Sequence, residues 1–261
     1  HAGANLGSNE REQLKAYNEQ LSKLETTFSQ NLLNDTNDLA VIVDTVEELD
    51  GLSASEIAAA ATAANDRGLT GKWLIGMVNF TGNPMLASLT NRPLRERIMK
   101  ASLQKSERPN DNDNRLVLTQ MATIRAMRAN LLGFENHAEY VLSEQTAGNL
   151  NNVHNMLRKI APAAVANARR EAADLQAAID AERGGFELAS WDWDLYTERV
   201  RIEKYNVDTN LFKPYFELER VLQDGVFFAA TKLFGITFEE RKDLQAYHPE
   251  ARVFEVSNAD G

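Results

Sequence analysis

The sequence predicts a mainly α-helical fold: a multi-helix body with a small β element. Three observations predict it. Apolar residues recur every three or four positions through most of the 261 residues, which is the spacing that lines one face of a helix. Helix-start and helix-stop residues bracket those segments. Strand-like composition is confined to short runs near 39–46, 73–78 and 252–257.

Each element follows from local chemistry. Leu14, Tyr17, Leu21, Leu24, Phe28 and Leu32 line one face of a first helix, with Asn9 and Glu12 as its capping box. The polar run from Asn34 to Asp38 is expected to stop it, because such side chains bond their own backbone. Ser53 and Glu56 form a capping-box signature before an Ala-rich helix that Gly68 ends. Asn83-Pro84 is expected to open the next helix and Pro93 to break or kink it. A helix over 113–132 places Val117, Met121, Ile124 and Leu131 on one face before Gly133, and a shorter one surrounds Ala138. The long segment 150–183 ends at Gly184-Gly185, and Pro162 should start, kink or split it. Helices over 192–205 and 217–234 follow, the second closed by Gly235. Residues 1–250 thus read as one helical region. Residues 251–261 read as the start of a hairpin, since Arg252–Ser257 is strand-like and Asp260-Gly261 is a turn signal. A strand stopping at its turn leaves unpaired edges, so both ends are expected to be boundaries of a piece.

Composition narrows the function. There are 38 acidic against 28 Lys and Arg residues, a formal charge of −10, so no basic surface for nucleic acid is expected. No apolar run approaches the length of a membrane span. With no cysteine, disulfides, thiolate nucleophiles and thiolate zinc sites are excluded. A cytoplasmic home fits this composition.

Motifs for chemistry are sparse. His1, His137, His154 and His248 have no zinc-helix spacing. Asp111-Asn112-Asp113-Asn114 resembles the start of a calcium loop. However, Leu116 stands where glycine is needed and Ala122 where glutamate is needed, so the run reads as a helix-capping loop. No phosphate-binding or nucleophile-elbow motif occurs. Asn34-Asp35-Thr36 and Asn79-Phe80-Thr81 match glycosylation acceptors, which carry no meaning in a cytoplasmic protein. The densest cluster is Trp191-Asp192-Trp193-Asp194. Its indoles could line a ligand groove, or could anchor a core edge while aspartate caps a helix.

A long collinear string carries a family resemblance. It includes Trp191-Asp192-Trp193-Asp194-Leu195-Tyr196 with Arg199, Glu203, Lys204 and Tyr205. It continues through Leu211-Phe212-Lys213-Pro214-Tyr215-Phe216-Glu217-Leu218, Gly225-Val226-Phe227, Leu233-Phe234-Gly235-Ile236, His248-Pro249 and Arg252-Val253. Gly71-Lys72-Trp73, Asn112-Asp113-Asn114-Arg115 and Leu131-Leu132-Gly133-Phe134 extend it upstream. The chain resembles the thimet-oligopeptidase-like zinc metallopeptidases, and its double tryptophan is similar to their peptidyl-dipeptidase branch. Thr146-Ala147-Gly148 departs from the family pattern.

The resemblance implies a fragment of a two-lobed helical enzyme with a deep channel. Such an enzyme acts on short peptides: members of the peptidyl-dipeptidase branch release C-terminal dipeptides, and sister members cut internally. It implies zinc on an H-E-x-x-H helix, whose glutamate activates water. That motif lies beyond the region matched here. No catalytic or metal residue is therefore expected in this chain, and zinc is expected only in the full-length parent. The zinc-binding half is the expected partner, and Trp191 and Trp193 are the candidates for the channel wall.

Overall fold

In the computed structural model, residues 3–78, 84–206, 209–258 and 260 are described. Asn79-Phe80-Thr81, Asn83 and parts of the 258–261 turn lie outside them. The chain is mainly helical and divides into two compact units, His1–Glu203 and Lys204–Gly261.

The first unit opens with α1, Ser8–Asp38. Its cap lies two residues earlier than expected: the Glu10 carboxylate accepts from the Gly7 N–H at 2.8 Å. The polar run 34–38 does not stop α1 but forms its last turn. The reason is tertiary. Asp35 is fully buried and accepts bonds from the Ser106 N–H at 2.5 Å, from Asn110 at 3.2 Å and from Arg108. Burial pushes its carboxyl up, yet these donors outweigh burial and hold it below the usual range. Helix α4, Arg115–Leu131, lies antiparallel along α1. Asn114 bonds Asn31 near its start, while Arg125 meets Glu25 and Arg128 meets Asn18 further on. In the run 111–114 the Asp113 carboxylate accepts from the Arg115 N–H at 3.0 Å, while Asn114 at the N-cap is buried and makes no side-chain capping bond.

A second core surrounds the small β element. Strands β1, Val41–Val43, and β2, Trp73–Ile75, pair antiparallel with Val41 opposite Ile75. Helix α2, Ala54–Asn65, begins at the Ser53–Glu56 capping box, and Gly68 takes the left-handed φ of +74° just past its end. Pro93 does not kink a helix. It sits in the first turn of α3, Arg92–Leu103, which Asn91 caps through the Leu94 N–H at 3.0 Å. Pro84 instead starts a short 3-10 turn, Pro84–Ala87. Val43, Leu49, Ile75, Leu86, Leu89, Leu94 and Ile98 pack together as this core.

Helix α5, His137–Leu142, leads to α6, Leu150–Ala181, which runs unbroken through Pro162. Pro162 lies where α6 is exposed on every side, so no neighbour amplifies the lost hydrogen bond. Near its end, Leu175 and Ile179 pack on Leu195 and Tyr196 of α7, Trp193–Tyr205.

The second unit contains α8, Leu218–Arg220, a π-helical segment Val221–Phe227, and α9, Phe228–Phe234, which together span the single helix expected over 217–234. The five-residue step of the π turn puts Leu222 and Phe227 on the less exposed side. There Phe227 stacks on Phe238 at 4.1 Å and meets Phe254 edge-on at 5.0 Å. Phe238 lies in β3, Thr237–Glu240, a strand absent from the sequence reading. It pairs antiparallel with β4, Phe254–Ser257.

Candidate functional site

The Trp191–Asp194 cluster sits where the segment between α6 and α7 meets α3. The Asn91 cap and Pro93 set the first turn of α3, which places Arg92 and Arg95 on one face, three residues apart. Both reach Asp192, which has no solvent exposure. Arg92 Nε donates to its two oxygens at 3.0 and 3.1 Å and Nη2 donates at 2.9 Å. Arg95 is 1% exposed, and its Nη2 donates to Asp192 at 2.7 Å. Its other donors go to the Leu89, Thr90 and Trp191 carbonyls at 2.8 to 3.0 Å. Asp192 also caps its own turn, accepting from the Ala189 N–H at 3.1 Å.

This is a buried ion pair with its hydrogen-bonding groups largely satisfied, the condition under which such a pair offsets its desolvation. Burial raises the Asp192 carboxyl, but the two arginines and the backbone N–H outweigh it and hold it below the usual carboxylate range. The neighbouring Asp194 carboxyl is pushed up by burial.

The two tryptophans divide the work. Trp193 packs against the Leu175–Ile179–Leu195–Tyr196 cluster. Trp191 is half-buried and faces cations: Arg92 lies 5.5 Å and Lys100 5.6 Å from its ring. Its indole N–H is buried and, among the described residues, has no acceptor. Arg92 also lies 4.2 Å over the Phe186 ring. The cluster is thus a clamp joining α3 to α7 with one aromatic face beside it. It contains no nucleophile paired with a base.

His1 lies outside the described residues, and the other three histidines are not brought together. His154 is exposed, and His248 Nδ1 accepts from the Glu250 N–H at 3.2 Å. His137 is half-buried, and its Nδ1 has no partner among the described residues. Burial, followed by Arg125 and Arg128, lowers its pKa below the ordinary 6.5. No group of three His, Asp or Glu among the described residues could hold a metal, so these residues do not fit a zinc site. A separate groove of about 470 Å³ lies between α1 and α4 over Leu24 and Ile124 and carries no acid–base pair.

The family model for "Peptidase family M3" matches residues 85–261, which include α3, the Asp192 clamp and the whole second unit. The chain belongs to peptidase family M3. Within family M3 it is 41% identical over 260 residues to a dipeptidyl carboxypeptidase of Escherichia coli strain K12 and 40% identical to that of Salmonella typhimurium. Each match covers all of this chain and 38% of the relative. An oligopeptidase A of Escherichia coli is 32% identical over 240 residues, 90% of this chain and 35% of that relative. The chain therefore spans a little over a third of the length of the M3 relatives it matches. No helix among the described residues is long and apolar enough to cross a membrane.

Sequence reasoning singled out Trp191 and Trp193 but missed Arg92 and Arg95. Two arginines three apart on a helix are an ordinary surface pattern, and nothing local ties them to an aspartate almost a hundred residues away.

Proposed function

We propose that this chain is the non-zinc helical portion of a cytoplasmic zinc metallopeptidase that releases dipeptides from the free C-termini of short peptides. Identity over the full chain to dipeptidyl carboxypeptidases, 41% against 32% for oligopeptidase A, is the observation that carries this reading. The chain's role is to wall a channel that admits short, unfolded peptides. Trp191 supplies wall surface. Trp193 stands behind it on the α6–α7 core, and the Asp192 clamp fixes both. Zinc, its ligands and the group that activates water belong to polypeptide outside this chain. No catalytic step falls to the residues present, and the chain alone is inactive.

The test gives an N-blocked hexapeptide with a free C-terminus to the complete polypeptide with zinc. Dipeptide release that a chelator stops supports the reading. Internal cleavage alone favours an oligopeptidase, to which 32% identity lends some weight. A gene that encodes no H-E-x-x-H helix favours a stand-alone peptide-binding module.

A further inference from the structure

The corner where α4 gives way to α5 gathers positive charge. Arg125 and Arg128 lie three residues apart in the last turns of α4, and His137 is the first residue of α5. Glu25 of α1 pairs with Arg125 at 3.1 Å. Arg128 has no carboxylate partner among the described residues. Its Nη1 donates to the neutral Asn18 Oδ1 at 3.1 Å, and its guanidinium carbon stands 5.6 Å from the centre of the Tyr140 ring.

Two nitrogens in this corner are orphaned. Arg128 Nε and His137 Nδ1 are both closed to solvent, and neither has a hydrogen-bond partner among the described residues. The His137 ring lies 6.2 Å from the same Tyr140 ring, so both nitrogens border one aromatic side chain. The charges that act on His137 are those of Arg125 and Arg128, and both oppose its protonation.

These features define what the corner accepts. A buried donor without an acceptor is costly, and a charged one more so. A water would accept the hydrogen bonds but leave the charge unanswered. An anion answers both. Because neither nitrogen opens to solvent, the occupant is small.

We infer that the α4–α5 corner is a binding site for a small monovalent anion of the halide class, which accepts from Arg128 Nε and from His137 protonated at Nδ1. The anion ties the start of α5 to the end of α4. Both residues belong to the first unit, and the site does not rest on the peptidase reading.

The test follows His137 by NMR in the 1–261 chain while chloride replaces gluconate at constant ionic strength. Gluconate is too large for the corner. A bound anion favours the imidazolium, so chloride raises the His137 midpoint. The midpoint is expected to be lowest in gluconate and to rise toward 6.5, by roughly half a pH unit and with saturation. The exposed His154 should not respond, and Arg128→Gln should abolish the response of His137. No chloride response at His137, or one that His154 shares, overturns the inference and leaves a corner filled by water. A response that survives in Arg128→Gln overturns it too. Bromide gives a readout on the unaltered chain, should Arg128→Gln fail to fold. Crystals grown in bromide should show an anomalous peak between Arg128 Nε and His137 Nδ1, and its absence overturns the site.

Discussion

At the scale of single residues, buried ionisable groups are the sensitive points. Asp192→Ala leaves Arg95 charged and buried without its counter-ion, a loss that costs about 3–5 kcal/mol. Urea unfolding of the first unit should show it, whereas a change below about 1 kcal/mol would mean that the clamp is dispensable. Acid acts in two windows. His137 has a pKa lowered by burial, so the unfolded chain takes the proton more readily, and stability declines as pH falls below about 6.5. In an NMR titration the His137 ring should show a midpoint below 6.5. Asp35 and Asp192 are depressed in the folded state, so their contribution is complete above about 3.8 and disappears as pH falls further, through their folded values.

At the scale of elements, Gly225 offers a clean test of the helix it interrupts. Its backbone is not left-handed and nothing lies within 4 Å of an added Cβ. In the 1–261 chain, Gly225→Ala should therefore gain about 0.5–1 kcal/mol from helix propensity. Hydrogen exchange over 218–234 would then slow, and faster exchange would contradict the helix assignment. What was legible in sequence at this scale was local. Ser53 and Glu56 are three residues apart and form the cap their spacing announces, and Gly68 and Gly235 lie just past helix ends in the left-handed conformation. What was not legible depended on distant partners. The run 34–38 continues α1 because Ser106, Arg108 and Asn110 satisfy Asp35, and β3 exists because β4 and Phe227 meet it. The candidate site followed the same rule: the tryptophans were conspicuous in sequence, while the arginines that organise them were not.

At the scale of the whole molecule, the chain is two units with unequal self-sufficiency. The first has two buried clusters and two buried aspartates tied to arginines. The second has no fully buried described residue, so a peptide spanning 204–261 should show no cooperative thermal transition by circular dichroism; a sharp one would mean that its core is sufficient. The proposed division of labour is that this chain supplies channel walls and polypeptide outside it supplies the metal chemistry. The most direct test of that claim is product analysis of an N-blocked hexapeptide treated in parallel with the complete zinc-loaded polypeptide and with the 1–261 chain. Free C-terminal dipeptides are expected from the first and intact substrate from the second. Dipeptides from the 1–261 chain, or only internal fragments from the complete polypeptide, would contradict that claim.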